Sequence, residues 1–64
     1  MTTKTDVTVR LTGEDGNAFA VLGTVKNALQ RAGYRKEAEE YFEEATSGDY
    51  DNLLRVTMQY VNVE

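Results

Sequence analysis

Near its amino end the chain alternates with a period of two: Val7, Val9 and Leu11 fall on one side, Asp6, Thr8 and Arg10 on the other. Successive side chains of a strand point to opposite faces, so this run predicts a strand over 6–11 with one face buried. After Thr12-Gly13-Glu14-Asp15-Gly16 the period changes. Ala18, Val21, Leu22, Val25, Ala28, Leu29 and Ala32 follow three-and-four spacing, which makes one apolar stripe on a helix over 18–32. Asn17 stands where a side-chain oxygen can cap a free first-turn amide. Arg31 suits the negative end of the helix dipole, and Gly33 sits where glycine terminates a helix.

A second helix is predicted over 36–45, with Ala38, Tyr41, Phe42 and Ala45 as its apolar stripe and Tyr34 packing in from the turn. So short a connection sets the two helices as a roughly antiparallel hairpin. Thr46, Ser47 and Gly48 end the second helix. The last segment reads two ways. Asp49 can cap a helix in which Tyr50, Leu53, Leu54, Thr57, Met58 and Val61 share a face. Leu54, Val56, Met58 and Tyr60 also alternate with Arg55, Thr57 and Gln59, as a strand would. The Asp cap and the Leu pair favour a helix over 50–59, followed by a strand over 60–63. A lone strand leaves its backbone groups unpaired, so the 6–11 run is its expected partner. The resulting fold class is α+β: a small β-α-α-α-β domain, its two-stranded sheet formed from the chain ends and packed on a helical hairpin plus a third helix. Such a sheet is marginal alone and needs the helices.

Length and composition narrow the chemistry. Sixty-four residues fit one domain, expected over 6–64, with the polar residues 1–5 as a disordered, frayed tail. A chain this size buries only about 60% of its unfolded surface, so stability should be modest. There is no histidine and no cysteine. That removes the usual near-neutral acid-base group, the thiol nucleophile and most zinc ligands, and no disulfide can reinforce the core. The composition is ordinary for a globular domain, at 41% hydrophobic and 28% charged. Seven basic against eleven acidic residues give a net charge of −4, which argues against direct nucleic-acid binding. No apolar run has transmembrane length, and the amino terminus lacks the apolar stretch of a signal peptide. The chain therefore reads as cytoplasmic, with no membrane partner.

The strings Leu11-Thr12-Gly13, Asp15-Gly16-Asn17-Ala18-Phe19, Ala45-Thr46-Ser47-Gly48-Asp49-Tyr50-Asp51 and Leu53-Leu54 resemble those of a group of small uncharacterised bacterial and phage proteins. The resemblance runs from about Leu11 to the end. It implies a compact intracellular domain of bacterial or phage origin, and no substrate or site.

Each candidate site has a plainer reading beside it. The loop from Gly13 to Asn17 leads into a helix amino terminus, a place that binds phosphate, but Glu14 and Asp15 repel anions. Asp15 and Asn17 suggest a calcium loop, but the rest of the ligand series is missing, so a capped turn is the better reading. Asp49 with Asp51, or Glu39 with Glu43, are spaced for acid-base work, yet nothing predicts the burial that would raise a carboxyl pKa. Hence no catalytic residue, cofactor, metal or small-molecule substrate is expected, and the protein is read as not an enzyme. Glu37, Glu39, Glu40, Glu43 and Glu44 band the second helix, either as a solvated face or as a mimic of DNA phosphates. Tyr34, Tyr41, Tyr50 and Tyr60 are expected in or beside the core. Opposite the first helix's apolar stripe lie Ala20, Gly23, Thr24 and Asn27, with Phe19 at the edge. A helical glycine costs about 1 kcal/mol against alanine, so close packing within the fold is the first expectation and a partner surface the second.

The expected function is a non-enzymatic protein-interaction or accessory domain, with another protein or a second copy as partner. The candidate partner-binding residues are Phe19, Ala20, Gly23, Asn27, Glu39, Glu40, Glu43 and Glu44. The alternative is an acidic DNA-mimic inhibitor of a nucleic-acid-binding protein, working through the glutamate band. A helix-turn-helix contacting DNA directly conflicts with the acidity of the second helix.

Overall fold

The computed structural model describes residues 3–11 and 17–64. Its elements run β1 (Thr8–Val9), α1 (Ala18–Arg31), α2 (Arg35–Ala45), α3 (Tyr50–Tyr60) and β2 (Asn62–Val63). The fold is the expected β-α-α-α-β, with the chain ends paired in a two-stranded parallel sheet in which Thr8 faces Asn62 and Val9 faces Val63. The ladder reaches past the short strands: Asn62 N–H donates to Val7 O at 2.8 Å and Glu64 N–H to Val9 O at 2.9 Å. The loop 12–16, with its anion and calcium readings, lies outside the described residues.

Local chemistry sets the helix ends. The Asn17 side chain accepts from Ala20 N–H at 3.1 Å, and Asp49 accepts from Asn52 N–H at 3.0 Å. At the far end of α1, Gly33 takes φ 92°, the left-handed conformation that costs glycine little. Gly33 N–H then donates to Gln30 O and Tyr34 N–H to Leu29 O, which satisfies carbonyls the helix cannot reach.

Val9, Val21, Val25, Leu29, Ala38, Tyr41, Leu53, Val56 and Tyr60 form the heart of the core. Tyr41 and Tyr60 meet edge to face, with ring centroids 5.6 Å apart. A relay closes the buried polar groups: Thr57 Oγ1 donates to Leu53 O at 2.8 Å and lies 2.7 Å from Tyr41 Oη. Thr57 has one hydroxyl proton and the carbonyl can only accept, so Tyr41 is the donor to Thr57.

Several sequence expectations are corrected. Ala18 and Ala32, at the ends of the α1 stripe, are exposed because the stripe outruns its neighbours. Phe42 is 40% exposed: Tyr41 takes the inward position, and Phe42 lies instead with Lys26 Nζ 4.6 Å from its ring centroid. On α3 the buried set is Leu53, Val56, Thr57 and Tyr60, while Met58 is 60% exposed. Helix α3 continues through Tyr60, so β2 begins at Asn62, with Val61 as a buried, extended link. The tail is not frayed throughout. Lys4 N–H donates to Gln59 O and Thr5 N–H to Tyr60 O, and Thr5 is 6% exposed. The last carbonyls of a helix lack helical partners, and this incoming segment supplies them.

Candidate protein-binding surface

The starts of α1 and α3 and the end of α2 surround a cleft of about 250 Å³. Ala18, Phe19 and Leu22 line one side, Ala45, Thr46 and Gly48 another, and Asp49, Tyr50 and Leu53 the third. Leu22, Ala45 and Leu53 are core residues, so the floor is apolar and fixed. Phe19 stands at the mouth, 86% exposed. A phenyl ring left in water forgoes roughly 1.5–3 kcal/mol of burial, so this side chain does not serve the fold.

The turn beside the cleft is rigidly built. Thr46 Oγ1 donates to Phe42 O at 2.7 Å, Ser47 Oγ to Glu44 O at 2.7 Å, and Asn52 Nδ2 to Glu44 O at 2.9 Å. Gly48 is required by space: a Cβ there would lie 2.9 Å from Asn52 Cβ. The strings Asn17-Ala18-Phe19 and Ala45-Thr46-Ser47-Gly48-Asp49-Tyr50, distant in sequence, therefore meet around one cleft. Its α3 side is acidic: Asp49 lines the cleft and Asp51 follows it in the first turn of α3.

The other candidates scatter. Gly23 is exposed, and a Cβ added to it would meet no atom within 4 Å, so close packing within the fold does not explain it. Ala20 is half-buried and Asn27 exposed, the latter on a separate groove beside β1. The glutamate band divides. Glu39 and Glu43 lie with Lys26 around Phe42. Glu40 and Glu44 lie with Lys4 on another side. Glu44 is committed to the fold: its carboxylate accepts from Tyr60 Oη at 2.6 Å and sits 4.0 Å from Lys4 Nζ. The tyrosines stand in or beside the core, as expected.

The polar chemistry of the described residues is structural. Burial, then the Glu44 carboxylate, pushes the Tyr60 hydroxyl well above its ordinary pKa; burial does the same for Tyr41. Tyr34 is raised first by its hydrogen bond to Asp6, at 2.7 Å. Among the described residues no group of three acidic side chains is set to hold a metal ion, and no helix is long and apolar enough to cross a membrane. Helical spacing pointed to Phe19 and to the glutamates but gave no sign of the cleft, which exists only once α1, α2 and α3 are assembled. Comparison with protein-family models, curated proteins and solved structures gives no match to this chain.

Proposed function

We propose that this chain is a non-enzymatic protein-interaction or accessory domain, acting in the cytoplasm, that holds another protein at the Phe19 cleft. One observation carries the reading: a fully presented phenylalanine at the rim of an apolar cleft whose walls are fixed by two capped helix starts. Aromatic residues beside preformed pockets are the usual anchors of protein interfaces. The partner presents an apolar side chain to Leu22, Tyr50 and Leu53, with basic residues flanking it to meet the acidic α3 side. The absence of histidine and cysteine supports a binding role over a catalytic one. DNA mimicry has less to support it, because Glu44 is tied to Tyr60 and Lys4, and Lys26 stands among the remaining glutamates.

The test is affinity capture with the intact protein and with Phe19→Ser, followed by calorimetry on the purified partner. Removing an anchor of this kind costs about 2 kcal/mol or more, a loss of at least about 30-fold in affinity. The melting point of the variant should be unchanged. Equal affinity for both forms would overturn the reading.

A further inference from the structure

We infer that β1 is a dimerisation strand, which pairs antiparallel with β1 of a second copy of this chain and centres on Thr8. The pleat of the sheet carries the first step. Val7, Val9 and Leu11 turn backbone groups toward β2, as the bonds Asn62 N–H to Val7 O, Glu64 N–H to Val9 O and Leu11 N–H to Glu64 O show. Alternation then turns the N–H and C=O of Thr8 and Arg10 to the opposite edge. Among the described residues those groups have no backbone partner. An open edge of this kind is a template for another strand, and a two-stranded sheet gains most from extension.

Room for that strand is present. The free edge opens on a groove of about 630 Å³ between β1 and α1, walled on the helix side by Thr24, Asn27, Ala28 and Arg31. Thr24 and Ala28 are small, so a second strand can lie beside the helix.

The sequence of the edge selects the occupant. Asp6-Val7-Thr8-Val9-Arg10 is symmetric in shape and opposite in charge about Thr8. In an antiparallel pair with Thr8 opposite Thr8, Val7 of each copy meets Val9 of the other, and Asp6 of each meets Arg10 of the other. Both charge contacts are favourable and occur twice. Cross-strand pairs of this kind stabilise an antiparallel pairing. The Thr8 pair is a hydrogen-bonded one, which matches the outward turn of its N–H and C=O. Asp6 Oδ1 accepts from Tyr34, which leaves the second carboxylate oxygen for the arginine; Arg10 approaches Glu64 Oε1 to 3.9 Å through one terminal nitrogen in an exposed pair, which leaves its other N–H donors for the aspartate. Phe19 lies outside this groove, so the dimer and the Phe19 cleft stand or fall separately.

The experiment combines sedimentation with cross-linking on the full chain. At about 10–100 μM, the range for interfaces of limited area, sedimentation should give a species twice the 7.2 kDa chain mass. Asp6→Arg and Arg10→Asp should each return the protein to monomer with an unchanged circular dichroism spectrum. The double charge swap should restore the dimer. Because the chain has no cysteine, Thr8→Cys reports register cleanly. Facing α-carbons about 5.5 Å apart fit a disulfide, so Thr8→Cys should oxidise to a covalent dimer, while Arg10→Cys, displaced along the strand, should not. A monomer throughout this range, a double swap that fails to rescue, or equal cross-linking of both cysteines would overturn the inference. So would binding of an extended polyglutamate peptide that depends on Arg10 and Arg31 and excludes dimerisation.

Discussion

The buried hydroxyl relay from Tyr41 through Thr57 to Leu53 O gives an asymmetric mutational signature. Tyr41→Phe removes the first donor and leaves Thr57 still bonded to the carbonyl at 2.8 Å. It should cost about 1 kcal/mol, the net worth of one ordinary hydrogen bond. Thr57→Val is nearly isosteric but strands the Tyr41 hydroxyl in a core where both residues are almost wholly inaccessible. An orphaned buried donor carries its full desolvation penalty, about 1–3 kcal/mol, so this variant should be the weaker of the two. Removing both hydroxyls eliminates the orphan. Tyr41→Phe introduced into the Thr57→Val background should therefore be neutral or stabilising, and the double-mutant cycle should show a coupling of about 1–2 kcal/mol. Urea denaturation followed by far-ultraviolet circular dichroism reads this directly, because a slope of about 1 kcal/mol/M turns the penalty into a midpoint shift of about 1–3 M. The slope itself should not change. A Tyr41→Phe variant as damaged as Thr57→Val, or a double variant equal to the sum of the singles, would refute the relay and its direction.

Two further outcomes follow from the same geometry. Gly23→Ala should stabilise the fold by about 0.5–1 kcal/mol, raising the melting point by a few degrees, since a Cβ there meets open space; a lower melting point in calorimetry would contradict this. Alkaline pH should unfold the protein: the hydroxyls of Tyr34, Tyr41 and Tyr60 are all raised above 10.0, so the folded state holds their protons more tightly than the unfolded state does. That stabilisation is complete below pH about 10 and is lost as pH climbs through the folded values, so phenolate absorbance and loss of helix should rise together; full tyrosine ionisation with helix retained would contradict it.

What the chain discloses in advance is local. Asn17, Asp49 and Gly33 act on amides and carbonyls within one helical turn, so their residue types alone identify the ends of α1 and the start of α3. The pairing of the chain ends also follows from local pattern, because two isolated strands leave no other partner. Rotation of a helix about its axis is different. On α3 the spacing fits a face containing Met58 as well as one containing Val56 and Tyr60. The choice is made by groups distant in sequence: Tyr41 on α2 bonds to the Thr57 hydroxyl and meets the Tyr60 ring edge to face. Phe42 has the same origin, since the Tyr41 hydroxyl finds Thr57 on α3 and Phe42 is turned toward Lys26. The Phe19 cleft and the β1 groove are likewise products of assembly. Phe19 could be singled out only as an aromatic residue at the edge of a polar face.

These non-local bonds converge on one residue. Tyr60 is fully buried, ends α3, packs edge-on against Tyr41, and donates to Glu44 on α2. Its carbonyl accepts from both the N–H and the hydroxyl of Thr5, and Lys4 Nζ lies 4.6 Å from its ring centroid. One side chain thus joins the amino-terminal segment, α2 and α3 immediately before the chain enters β2. In a domain too small for a large core, that junction ties the two chain ends together without a covalent link, and it anchors the segment that leads into β1. The outward backbone groups of β1 and the Phe19 side chain stand outside these bonds. Changes at Thr8 or Phe19 should therefore alter binding without unfolding the chain, and a change at Arg10 gives up only an exposed ion pair with Glu64.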